Sequence, residues 1–369
     1  MPAPASHPRD PWLDNTKLVL VTLVVVGHTI GMLKDSAAGE WLYNFVYFWH
    51  IPAFVLVTGY FSDSFRWDRR HLVALVTTVA LPYLIFEPAL YAFRLALGEQ
   101  LHDPLWLVPH WSMWYLPVLF LWRLATPVLR LHWVVLPVSV AVSLVGGLWS
   151  GQVFCAARAL GLLPFFALGL FLARRGLSWL NHRWVAWAAV SALAAIFVMA
   201  RFTDEWARTA FLYYDAGYDD LGWSPLPAMW VRLVVMAIGL VGALSVIALV
   251  PRGRTWFTGM GAATMVVYLF HGFVVHVVEM GPWPAWATAH VVIGLPATVA
   301  AAVGLALLLA SPPVRGRLVW AVDPIGSWRR HRREARPAGP SRTADVPREP
   351  ATVAPRSATP VPQHPGRHR

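Results

Sequence analysis

Apolar residues gather along this chain in long runs, separated by short polar connections. The runs fall near residues 17–34, 41–61, 71–95, 112–130, 132–150, 155–173, 183–202, 228–250, 256–280 and 286–310. A helix rises about 1.5 Å per residue, so about twenty residues cross a hydrocarbon core of about 30 Å. The pattern therefore predicts an all-α polytopic membrane protein with about ten transmembrane helices. No small-residue cleavage site follows the first run, which reads as a retained helix rather than a signal peptide.

Charge in the connections gives an orientation. Arg9 and Lys17, then Arg66, Arg69 and Arg70, then Arg123 and Arg130, then Arg174, Arg175 and Arg183, then Arg252 and Arg254 occupy every second connection. The alternate connections carry Asp35 and Glu40, Glu99 and Asp103, and an acidic stretch from Asp204 to Asp220. Cytoplasmic loops are the basic ones, so this alternation predicts an even span count in the inner (plasma) membrane with both termini cytoplasmic. Three segments follow: a cytoplasmic start over 1–16, a transmembrane domain over 17–328, and a tail over 329–369. The tail is rich in Arg and Pro with almost nothing apolar to bury, which predicts a disordered cytoplasmic segment. Its RRHRR run either holds anionic headgroups or marks topology.

Composition agrees with lipid as the solvent: 57% of 369 residues are apolar and 13% charged. The net charge of +11 lies mainly in loops and tail, so it points to membrane topology and not to nucleic acid. The single cysteine, Cys155, excludes an intrachain disulfide and a metal site of several thiolates, and no metal centre is expected.

Ionisable side chains inside spans are costly unless they face a cavity or a partner, so they are where chemistry is sought. His28 follows Lys17 by eleven residues, which at 100° per residue returns it to the same helix face about 16 Å deeper. Asp14, in WLDNTK, is placed to cap that helix or to sit where a phosphate is favoured. By depth counting His50, Glu87, Arg158 and His271 fall in the same outward half as His28, which suggests one pocket. Pro52 and Gly59 read as a packing kink or as the opening of a polar cavity, with Thr58 beside them. Trp111, Trp114 and Tyr115 open the fourth span, where they either stack a sugar ring or belong to the interfacial aromatic belt.

Five stretches together resemble a known family: WLDNTKLVLVTLVVVGH at 12–28, LYNFVYFWHIPAFVLVTGYF at 42–61, HWSMWYLPVLF at 110–120, RALGLLPFFALGLFLARR at 158–175 and GMGAATMVVYLFHGF at 259–273. In order and spacing the chain is similar to the membrane-bound acyltransferase 3 family, especially its fucose 4-O-acetylase-like branch. That resemblance implies a ten-helix O-acyltransferase using acetyl-CoA as donor substrate, with no permanently bound cofactor. It marks the helix with a basic residue ten residues ahead of the histidine, here Lys17 before His28, as the catalytic one. Thr58-Gly59 stands where the family often has Ser-Gly.

Acyl transfer needs a base for the hydroxyl proton and donors for the oxyanion. His28 is the expected base, His50 or His271 its orienting partner or an oxyanion donor, and Glu87 the holder of one imidazole. Arg158 is expected on the acceptor or the thioester carbonyl, and Lys17, Arg69 and Arg70 on the CoA phosphates, although the two arginines equally serve topology. Thr58, Trp114 and Tyr115 are expected to touch a sugar or glycan acceptor, lipid-linked or extracytoplasmic. The rival reading is a transporter or flippase for a polyol or lipid-linked sugar, which should show paired broken helices in two halves. Oligomeric state is not legible.

Overall fold

The computed structural model describes residues 10–149 and 153–334; its regular structure is all helix, with no strand among the described residues. The chain divides into a compact unit over residues 1–328 and a second over 329–369. In the second unit only residues up to 334 are described, within the helix Pro324–Glu334; the disordered stretch expected beyond them lies outside the described residues.

Eight helices are long and apolar enough to cross a membrane. They are α1 (Pro11–Leu33), α2 (Ala37–Ser62), α3 (Arg69–Ala96), α4 (Trp111–Leu129), α8 (Arg183–Ala200), α9 (Pro225–Leu249), α10 (Thr258–Glu279) and α11 (Val291–Ala310). Between α4 and α8 lie α5 (Val135–Gly146) and the pair α6 (Val153–Gly161) and α7 (Leu163–Arg175), bent by 60° into a broken span. Two of the ten expected spans therefore differ from the expectation. The α5 helix has 12 residues, about 18 Å, and ends at Gly146-Gly147, where two of its last carbonyls are satisfied from outside. Arg232 donates to Ser143 O at 3.1 Å, and the Tyr218 hydroxyl donates to Leu144 O at 2.7 Å. Hydropathy counts apolar residues and is blind to such a cap.

Local chemistry sets the helix starts. Asp10 caps α1 by accepting from Trp12 N at 2.9 Å, and Pro11, which has no N–H to lose, takes the first helical position. Asp14, for which a cap was one of two expected roles, is not the cap: it lies in the first turn and pairs with Lys17. Ser36 caps α2, and Asp68 caps α3 through His71 N.

The polar connections gather at two ends, as their charges predict. Asp63 receives Arg174 Nε at 2.9 Å and, on its carbonyl, Arg130 at 2.6 Å, while Asn15 donates to Pro251 O and Gly253 O. These form the basic end. At the other, Tyr43 meets Tyr213, Asn44 accepts from Thr209, and Arg94 meets Glu99.

The α2 helix is the hub, packed on α7 and α9, while α1 lies against α10 and α11. The α2–α7 crossing is close because both helices place glycine at the contact. A Cβ on Gly59 would strike the Phe166 carbonyl, and one on Gly169 the Leu56 carbonyl. Thr58-Gly59 is therefore a helix-crossing device as well as a polar one.

Candidate functional site

The deepest polar contact joins α1 to α10: His28 Nδ1 lies 2.9 Å from His271 Nε2, with the two rings nearly parallel. Each imidazole has one N–H when neutral, so the neighbours fix where the protons are. His271 Nδ1 is 3.1 Å from the Val267 carbonyl, which can only accept, so Nδ1 carries the proton and Nε2 offers a lone pair. His28 must then donate from Nδ1, which leaves His28 Nε2 as the available base. His271 is completely buried, whereas His28 keeps accessible surface. The geometry thus makes His271 the acceptor of the His28 proton and leaves the His28 Nε2 lone pair unshared.

His50 repeats the tautomer logic, its Nδ1 donating to Val46 O at 2.9 Å. Its Nε2 is buried without a hydrogen-bond partner and faces Gly27, where an added Cβ would stand 3.2 Å away.

Trp111 roofs the pair. Its ring centroid lies 4.4 Å from that of His28, 5.3 Å from His271 and 4.8 Å from His276. The residue sits at φ +51°, in the left-handed region that a tryptophan occupies only when its surroundings hold it there. They do so on both sides. Glu87 Oε1 accepts from His110 N at 3.0 Å and from His110 Nδ1 at 2.5 Å, and the Tyr268 hydroxyl donates to the Ser112 carbonyl. Below the ring Gly272 leaves room, since a Cβ there would come within 2.6 Å of Trp111 Cζ3. Glu87 thus holds an imidazole, but that of His110.

A pocket of about 300 Å³ opens between α1, α2, α4 and α10 with Lys17 on its wall. Thr58, Tyr115, Arg123 and Tyr268 also line it. The Thr58 and Tyr115 hydroxyls are 2.5 Å apart. Tyr268 precedes His271 by three residues, so the pocket reaches to within one turn of the histidine pair. Lys17 Nζ lies 2.5 Å from Asp14, and Arg123 donates to Ser62 Oγ at 3.4 Å.

Outside the lining of this pocket, aromatic side chains gather around Arg158 and His50. Arg158 pairs with Asp215 at 2.6 Å and covers Trp114 at 5.0 Å, while Tyr47 packs on His50 and Tyr213. Arg69 and Arg70 are exposed at the start of α3 and do not line the pocket. Trp114 and Tyr115 are buried, so neither is part of a lipid-facing belt.

Apart from Glu87, which holds His110, and the exposed Arg69 and Arg70, the sequence-expected residues fall into three groups. His28, His271 and His50 gather at the centre, Lys17, Asp14, Thr58 and Tyr115 on the basic side, Arg158 and Trp114 on the other. Sequence reasoning missed His110, Trp111 as a roof, Arg123, Tyr268 and the buried Arg232. The one signal in reach was the Arg in the apolar run 228–250, a charge that a span tolerates only with a job.

The model of the acyltransferase 3 family, described as an acyltransferase domain, matches residues 10–309. The chain belongs to the acyltransferase 3 family. No curated protein and no solved structure matches it. Family membership carries membrane acyltransferase activity in general terms and does not single out the fucose 4-O-acetylase-like branch. The matched region takes in the histidine pair, the tryptophan roof and the Lys17 pocket, so in this acyltransferase 3 chain the site lies inside the family domain.

Proposed function

We propose that this protein moves an acetyl or other short acyl group from acyl-CoA to a hydroxyl of a sugar or glycan, with His28 as general base. The observation that supports this most is the 2.9 Å contact between His28 Nδ1 and His271 Nε2, because it leaves His28 Nε2 accessible with a lone pair. In this reading His28 Nε2 takes the acceptor's hydroxyl proton as the oxygen attacks the thioester carbonyl. The tetrahedral oxyanion collapses, the C–S bond breaks, and His28 returns the same proton to the departing thiolate. His271, a neutral acceptor, orients His28 throughout.

The basic end is the cytoplasmic one in this reading, and both termini lie there, in the plasma membrane. CoA enters as a substrate along the Lys17 pocket, with Lys17 and Arg123 on its phosphates. Thr58 and Tyr115 sit where the acyl-bearing arm passes and shape its path: Thr58 donates to the Phe54 carbonyl at 2.8 Å and Tyr115 donates to Thr58, so both hydroxyls meet the arm as acceptors. The acceptor, lipid-linked or extracytoplasmic, approaches from the side of Arg158, Trp114, Tyr47 and Tyr213, where aromatic faces and a guanidinium suit a sugar ring.

Proteoliposomes given acetyl-CoA labelled in the acetyl group and a crude glycolipid fraction test this. Label should reach the glycan with wild-type protein and not with His28→Ala of equal folded yield. Transfer that survives His28→Ala removes the proposed base. Passage of unmodified glycan across the bilayer without label transfer favours a flippase.

A further inference from the structure

The shortness of α5 has a consequence away from the histidines. With about 18 Å of helix where the bilayer core measures about 30 Å, α5 leaves a trough between itself, α7 and α9. Two adjoining cavities share Leu136 and fill that trough. One, of about 310 Å³, lies at the basic end against Arg130, His132, Arg174 and Arg175. The other, of about 360 Å³, continues along α7 to Pro164 and is lined entirely by apolar residues, Leu233 among them. From Arg175 to Pro164 the groove follows eleven residues of helix, about 16 Å.

The polar end is built to donate. Val134 N donates to His132 Nδ1 at 3.2 Å, so the neutral ring carries its proton on Nε2 and presents a donor. Arg174 is committed to Asp63 and to the Arg130 carbonyl, and Arg130 gives one nitrogen to the Asp63 carbonyl. Arg175 lies over the Phe171 ring at 5.0 Å and meets no carboxylate among the described residues. Uncommitted guanidinium N–H groups and an imidazole N–H thus stand at the mouth of an apolar channel.

We infer that this groove binds one anionic phospholipid, its phosphate held by Arg175, Arg130 and His132 and an acyl chain lying in the apolar trough beside α5. The charge selects an anionic headgroup, and the continuity of the two cavities selects a lipid over a free phosphate. The site is separate from the histidine pair and stands whether or not the chain transfers acyl groups.

Native mass spectrometry of the full chain from nanodiscs of equal phosphatidylcholine and phosphatidylglycerol tests this. Wild type should keep one phosphatidylglycerol at least about 10-fold in preference to phosphatidylcholine. Arg175→Glu should abolish the preference, and Leu233→Trp, which fills the trough from a half-exposed position, should lower retention of both lipids. Equal retention by wild type, or a preference unchanged in both variants, overturns the inference. So does displacement of the bound species by millimolar inorganic phosphate with no effect of Leu233→Trp, which would mean an anion site only.

Discussion

Removal of the His271 imidazole tests the division of labour in the pair. In His271→Ala, His28 Nδ1–H loses its acceptor at 2.9 Å, and the ring is free to rotate or to move its proton to Nε2, where it no longer serves as a base. A base held in the wrong tautomer costs a serine-protease triad about 10⁴ in kcat. There the lost partner is an anion; here it is neutral, so a loss of about 10²–10³ is expected, or about 3–4 kcal/mol of barrier. His271→Gln should recover to within about 10-fold of wild type, since its carbonyl oxygen reaches close to the original Nε2 position and accepts the same proton. His28→Ala should fall further than His271→Ala, and the double variant no further than His28→Ala, because the two act as a unit. The assay is initial-rate acetyl transfer in proteoliposomes under saturating donor. A His271→Ala enzyme at wild-type kcat, or a double variant that multiplies the two losses, would refute the orienting role.

Three further outcomes follow from the same geometry. Gly272→Ala puts a Cβ within 2.6 Å of Trp111 Cζ3, so the roof must shift; kcat should drop roughly 10-fold or more with normal membrane yield, read by the same transfer assay. Glu87→Ala removes the acceptor of two His110 hydrogen bonds and should lower stability by about 1–3 kcal/mol, visible as an earlier thermal transition in detergent, whereas Glu87→Gln keeps an oxygen there and should lose less. Lys17→Ala should raise KM for acetyl-CoA about 10-fold and leave transfer from acetyl-N-acetylcysteamine, which has no phosphates, unchanged; an equal loss with both donors would take Lys17 off the phosphates.

Spans and their polarity were legible because each is a property of consecutive residues. Asp10-Pro11, Ser36 and the alternating basic loops sit in the sequence where they act. The shortness of α5 and the 60° bend between α6 and α7 are not legible in hydropathy, which counts apolar residues and not where a helix breaks. Gly146-Gly147 marks the end of α5 in the sequence, but the groups that satisfy its last carbonyls, Arg232 and Tyr218, reach it from about 70 to 90 positions away.

The same distinction divides the site. His28, His50 and His271 announce themselves as lone ionisable residues in apolar runs, and depth counting along separate helices gives them a common level. Depth does not give azimuth, and so it does not tell which imidazole Glu87 holds. That carboxylate faces His110, held 23 positions away by the return of the loop before α4. Trp111 illustrates the limit most directly. An aromatic at the start of a span reads as an interfacial residue on composition alone, and only the left-handed backbone at that position turns its ring inward over the histidines. The helix-borne parts of the site were thus open to counting, while the parts set by a loop's dihedral angles required the fold. The contacts set by loops come from the connections 97–110 and 201–224, which bring Trp111 and Tyr213 against the otherwise helix-borne centre.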